Sequence, residues 1–323
     1  LKFIILFVIF WILLLLLWSL LILGQVGNPT KMSQWITDAY AKKEHIAGEI
    51  RGEKIVIAAG SNALFGVDSK MLSDAFGLPV INDSVNAGIE LPCILHMAKH
   101  VIGEGDIVIL PLEHSMYAYS GKPGIQMIDF LLSKEPGCFW TLLPSEQFYI
   151  IWHTTMDRII KGYRAEGGEP ITEGLYGAHH IDDLGDQNET EIEYRTEAMY
   201  REVRQRYKTS PPYTYGEDFS RDAPGWSYLG EFIEWCDERG ARVIFMPATL
   251  MRDESYYSEP KERWFFTHIA EEVERHGWNY IGDPYDYMYD QELYFNSDSH
   301  LIDRGRAIRT EQMIRDIQKA LSL

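Results

Sequence analysis

Two short stretches, Gly60-Ser61-Asn62 and Asp298-Ser299-His300, carry the residue types that nucleophilic acyl chemistry requires. A hydroxyl attacks, an imidazole takes its proton, and a carboxylate holds the imidazole in the right tautomer. Backbone N–H groups aimed at the developing negative charge complete such a site, and Ser61 and Gly88 are placed to offer two of them. Each residue also has a plainer use. Ser61 or Asn62 can cap the helix that follows, and Asp298 and Asp303 can cap the last one, leaving His300 as a loop histidine.

For these residues to meet, the chain has to carry them to one edge. Ile55-Val56-Ile57-Ala58-Ala59 predicts a buried strand ending in a tight turn, which exposes the Ser61 hydroxyl at the strand's carboxyl end. Open α/β sheets bind ligands at that edge. Pro79-Val80-Ile81 predicts a second strand that leaves through Asn82 to Gly88. Residues 106–112 predict a third, apolar throughout, as a parallel strand covered on both faces should be. Helices are expected over MLSDAF and residues 89–101. Residues 241–247 and 278–281 predict a fourth and a shorter fifth strand, with helices at 228–239 and 261–276 and a last helix from about Asp303. Strands alternating with helices imply βαβ units and a parallel sheet of about five strands.

Residues 115–226 interrupt that rhythm between the third and fourth strands. Helical pieces at 147–163 and 190–207, with Trp140, Phe148, Tyr149 and Trp152, predict a helical insertion with its own small core. A lid or acceptor groove lying against the membrane is the sharper alternative.

Composition excludes several classes. A formal net charge of −18 argues against a nucleic-acid partner, which needs a basic face. Residues 3–23 are apolar apart from Ser19 and long enough to cross a bilayer. The run exceeds a signal-peptide core, so residues 1–24 are expected to be a retained transmembrane signal anchor. Residues 25–52 then form a juxtamembrane linker with a helix at 35–47, and residues 53–323 the α/β domain. Lys2 before the anchor against Lys31, Lys42 and Lys43 after it favours, by charge count alone, a cytoplasmic body. Cys93, Cys138 and Cys236 lack metal-ligand spacing and are expected to be small buried apolar residues. No phosphate-binding glycine motif occurs, and His179-His180-Ile181-Asp182-Asp183 reads more simply as a solvated loop than as a metal site, so no cofactor or metal is expected. Asn82-Asp83-Ser84 and Asn188-Glu189-Thr190 match the glycosylation sequon.

The order strand-GSN, then NxSxNxG after the second strand, then a DxH loop before a terminal helix resembles the SGNH (GDSL-like) hydrolase superfamily. With an anchor in front, it is similar to the acyltransferase-like members of cell-wall and exopolysaccharide systems: the D-alanyl-lipoteichoic acid transfer proteins and the alginate and cellulose O-acetylation proteins. The resemblance covers roughly residues 54–113 and 278–317. It implies a three-layer, flavodoxin-like fold with Ser61 as nucleophile, His300 as base, Asp298 as orienting carboxylate and Gly88 as an oxyanion donor. Two positions depart from the pattern. Ser297 stands where the family's DxxH block has its Asp. The usual GxND block reads Pro111-Leu112-Glu113-His114, so its oxyanion Asn is missing, with Asn62 or Asn86 as possible substitutes. A Glu113 carboxylate beside a developing oxyanion is repulsive unless protonated or turned away.

The resemblance implies a membrane-anchored acyl, most simply acetyl, transferase that works through an acyl-serine on an exported or cell-surface polysaccharide. It also implies a multi-span membrane-bound O-acyltransferase as donor and a body outside the cytoplasmic membrane. The alternatives are an esterase or deacetylase of the same polymers, and a catalytically silent scaffold of a polysaccharide assembly complex.

Overall fold

The computed structural model describes residues 1–133, 135–209 and 214–321. Helices α1 (Lys2–Leu23) and α2 (Lys31–Glu49) precede β1 (Ile55–Ile57). Next, α3 (Ser61–Gly66) and α4 (Ser69–Phe76) lead to β2 (Val80–Asn82), and α5 (Glu90–Val101) leads to β3 (Ile107–Leu110). A helical span follows: α6 (Ile125–Ser133), α7 (Pro136–Thr141), α8 (Pro144–His153), α9 (Met156–Tyr163), α10 (Glu197–Thr209), α11 (Tyr215–Asp218) and α12 (Pro224–Asp237). The chain closes with β4 (Arg242–Phe245), β5 (Leu250–Met251), α13 (Ser255–Ser258), α14 (Pro260–Glu274), β6 (Asn279–Tyr280), β7 (Met288–Tyr289) and α15 (Asp303–Leu321).

Five strands form one parallel sheet in the order β2-β1-β3-β4-β6. Ile55, Val56 and Ile57 are buried because both faces of β1 are covered, which is why that run is apolar at every position. Ile57 lies in register with Asn82 of β2 and Ile109 of β3. The chain therefore leaves the carboxyl ends of β1 and β3 side by side, at the point where the strand order reverses. Such a reversal opens a crevice between neighbouring loops. A second, two-stranded parallel sheet pairs Leu250 with Met288 and Met251 with Tyr289. Strands of two residues carry no period of their own, so nothing in their sequence announces them.

Helix boundaries follow the capping chemistry. The expected helix at 147–163 is two helices, because Thr154 Oγ1 bonds back to the Ile150 carbonyl while Thr155 Oγ1 accepts the Arg158 N–H and starts α9. The expected helix at 190–207 begins only at Glu197. Residue 134 and residues 210–213 of the 115–226 span lie outside the described residues.

The helix α1 is long and apolar enough to cross a membrane, with a mean hydropathy of 3.1 over its best window and none of that window buried against the body. Helix α2 behaves differently. Thr30 caps it, and Ile36, Ala39 and Tyr40 belong to the same core as β1, α5 and α12. Its Lys43 is fully buried and donates to the carbonyls of Asn82, Ser84 and Gly185 at 2.6–2.7 Å. Burial pushes the Lys43 amine down and the Asp83 carboxyl up, against their mutual attraction. Asn82 of the first sequon is itself buried, with its amide bonded to Ala63 O and Asp186, so it is closed to a glycan, whereas Asn188 is exposed.

Candidate active site

Ser61 is the first residue of α3, directly after Gly60. A Cβ on Gly60 would collide with the Glu113 carboxylate and with Ala87, so only glycine allows the loops after β1, β2 and β3 to close on one another. The loops enclose a cavity of about 620 Å³ whose wall includes Ser61, Gly88, Glu113, His114, Asp298 and His300. Five of the seven residues singled out in the sequence thus share one cavity. Asn62 and Asn86 are elsewhere.

The histidine is positioned by its neighbours on three sides. Its ring stacks on Phe65 with centroids 4.2 Å apart and an 8° interplanar angle, and meets Tyr176 edge-on at 6.3 Å. Its Nδ1 lies 2.7 Å from Asn296 Oδ1. Asn296 Nδ2 donates to the Tyr176 hydroxyl at 2.9 Å, which turns the amide oxygen toward the ring. With Nδ1–H donating to that oxygen, Nε2 keeps its lone pair, the form a general base needs. Asn296, not Asp298, is the side chain at Nδ1. Asp298 contributes its backbone carbonyl to the Met251 N–H at 2.8 Å, which ties the loop to β5. Ser297, at the position of the family's Asp, accepts the backbone N–H of His300 at 3.1 Å and of Ser299 at 3.3 Å, and so shapes the loop. No hydrogen bond joins the Ser61 hydroxyl to His300 among the described residues.

The N–H groups around Ser61 are largely engaged. Glu113 accepts from Gly60 N–H at 3.0 Å through one oxygen and from Asn62 N–H at 3.2 Å through the other. The carboxylate is therefore turned toward the start of α3, where it occupies donors that flank Ser61. Gly88 N–H is taken by Asn86 Oδ1 at 2.7 Å. Neither expected Asn substitute is an oxyanion donor in this arrangement. Asn86 acts as a cap. Asn62 is buried, with its Nδ2 on Pro111 O at 3.0 Å and its Oδ1 held by Arg309 Nη2 at 2.9 Å. Arg309, fully buried, also donates to Asn62 O at 2.8 Å and Pro247 O at 3.3 Å. It joins α15 to the turn that carries Ser61.

Three further residues escaped the sequence reasoning. Asn296 is an amide where the chemistry suggested a carboxylate. Arg309 is one of several arginines along α15, with no local feature that sets it apart. His114 lies in the cavity wall, buried, with both ring nitrogens unbonded among the described residues and edge-on contacts to Tyr215, Phe265 and Phe266. Burial and then Arg309 push its pKa down to about 3, so the ring is neutral near pH 7. For metals, His179 and His180 are spent on the carbonyls of Ile171 and Gly174. His96, His100 and Glu135 bring three ligand atoms within 4.8 Å of one another, on α5 and just before α7, outside the cavity. Compared with protein-family models, curated proteins and solved structures, the chain matches none of them.

Proposed function

We propose that the protein is a membrane-anchored acyltransferase of SGNH type, transferring an acyl group, most simply acetyl, to an exported or cell-surface polysaccharide by way of an acyl-Ser61. One observation carries this reading: Ser61 and His300 face one cavity at the carboxyl edge of the parallel sheet, with His300 Nδ1 held by Asn296. The strand order β2-β1-β3-β4-β6 supports the flavodoxin-like, three-layer arrangement of that superfamily. Ser61 gives its proton to His300 Nε2 and attacks the donor's acyl carbon. The leaving group takes the proton, and a glycan hydroxyl, deprotonated in turn by His300, attacks the acyl-serine and releases Ser61. The cavity volume suits a sugar unit better than an acetyl group alone. The donor is a multi-span membrane O-acyltransferase, and the body lies outside the cytoplasmic membrane. Esterase activity on the same polymers uses the same first half-reaction with water as acceptor.

A second reading has its own observation. Glu113 fills the Gly60 and Asn62 donors with a carboxylate, as expected of a silent scaffold for polysaccharide assembly that keeps the fold and not the reaction. Fluorophosphonate labelling, together with turnover of an acetyl ester with and without oligosaccharide acceptor, decides between them. A transferase labels at Ser61 and accelerates with acceptor, an esterase turns over without it, and a scaffold does neither. Ser61→Ala and His300→Ala should each remove activity as completely as the double variant, since the two act as one unit.

A further inference from the structure

Apolar faces on α8 and α9 flank the point where α1 joins the body, and a further exposed ring lies on α7. On α9, Met156, Ile160 and Tyr163 face solvent while Arg158, Ile159 and Gly162 are buried. On α8, Phe148 and Trp152 stack with centroids 6.2 Å apart and stand 57% and 66% exposed. On α7, Trp140 is 73% exposed. Single exposed apolar residues are ordinary, but a cluster of large aromatics at this exposure marks an interaction face.

Helices α8 and α9 hold the end of α1 and the turn that follows it. Trp18 donates its Nε1–H to the Ile151 carbonyl of α8 at 2.8 Å. From α9, Arg158 donates to Gln25 Oε1 at 3.3 Å and Asn28 O at 2.8 Å. The Tyr163 hydroxyl packs close over Gly24, just past α1, 2.6 Å from where a Cβ would lie. The aromatic face is thus continuous with the helix end.

We propose that this face is a membrane seat: Phe148, Trp152, Met156, Ile160 and Tyr163 rest in the headgroup region of the bilayer that α1 crosses. The proposal rests on reading α1 as a membrane span. Tryptophan and tyrosine favour that layer because their rings are apolar and their N–H and O–H groups reach water. Amphipathic helices lie in it with their apolar faces down. With a net charge of −18 on the whole chain, the attraction is apolar and not electrostatic. The seat also brings the cavity toward the lipid. Ile125, 61% exposed, shares a groove with Met32 and His153, and its neighbour Gln126 lines the cavity. A donor carried in the membrane is then delivered near Ser61 without leaving the surface.

The full chain in phosphatidylcholine–phosphatidylglycerol nanodiscs tests this with spin labels at Phe148→Cys, Trp152→Cys and Ile160→Cys, one at a time. Cys93, Cys138 and Cys236 are buried and stay unlabelled in the folded protein. Ile192→Cys, at an exposed apolar position outside the face, and Leu14→Cys in α1 serve as references. The expected result is an oxygen-to-nickel-chelate collision ratio at 148, 152 and 160 that stands several-fold above that at 192 and below that at 14. Nickel access at 148, 152 and 160 equal to that at 192, with position 14 shielded, overturns the seat, leaves the anchor standing and gives the face to a protein partner. Nickel access at 14 overturns the anchor and the seat together.

Discussion

Asn296 Oδ1 lies 2.7 Å from His300 Nδ1, with its own amide nitrogen fixed by Tyr176, so a neutral amide does the orienting that a carboxylate does in most serine sites. An amide sets the tautomer but adds no charge to stabilise the imidazolium. Asn296→Ala should therefore lower Ser61 acylation by roughly 10²–10⁴-fold, the range of a lost acid–base contribution. Asn296→Asp should retain activity and move the alkaline-rising limb of the pH profile upward, because a nearby negative charge favours protonated histidine. Rates of fluorophosphonate labelling against pH measure both; an unshifted profile in Asn296→Asp would remove Asn296 from the site.

Glu113→Gln separates transferase from scaffold. The amide keeps one acceptor for the N–H groups of Gly60 and Asn62 and turns an NH₂ toward the other, so urea unfolding should show a loss of about 1–3 kcal/mol. Removing the negative charge from beside the developing oxyanion should raise labelling of Ser61 about tenfold or more, since ~1.4 kcal/mol is a factor of ten. A folded Glu113→Gln protein that still fails to label would establish the scaffold.

Arg309→Met tests the link between α15 and the Ser61 turn. Removing the guanidinium strands Asn62 O, Asn62 Oδ1 and Pro247 O in the interior. Hydrogen bonds from a charged donor are worth about 1.5–3 kcal/mol each, so a stability loss of about 3 kcal/mol or more is expected in denaturant melts. A smaller loss would mean that water reaches these carbonyls.

Glu90 gives a pH-dependent prediction. Burial raises its carboxyl from 4.5 to about 7, against the opposing hydrogen bond from Gly124 N–H. The folded state then binds this proton more tightly than the unfolded chain, so its contribution is full below about pH 4.5 and is lost as pH rises through 7. Glu90→Gln resembles the protonated form at every pH. Its melting temperature should match wild type at pH 4.5 and exceed it at pH 8. Equal differences at both pH values would show that Glu90 titrates normally.

Much of this architecture was legible along the chain, and the limits have physical causes. The apolar runs at β1 to β4 and the glycine before Ser61 declare themselves locally, because burial on both faces and close loop approach each demand particular residues. The role of Asn296 depends on Tyr176, 120 residues away, and that of Arg309 on Asn62, 247 residues away. Neither partnership leaves a local pattern. Arg309 in particular sits among Arg304, Arg306 and Arg315 in a helix whose composition suggests a solvated face, and only the fold turns it inward.

The buried ammonium of Lys43 has a practical corollary. Its three carbonyl partners include Asn82 and Ser84, at the start of the loop that goes on to supply Ala87 and Gly88 to the cavity. A chain shortened to begin at β1 would leave those carbonyls without their donor and the loop without its tether. The smallest fragment worth expressing for assays begins ahead of Thr30, which makes α2 part of the chassis of the α/β body.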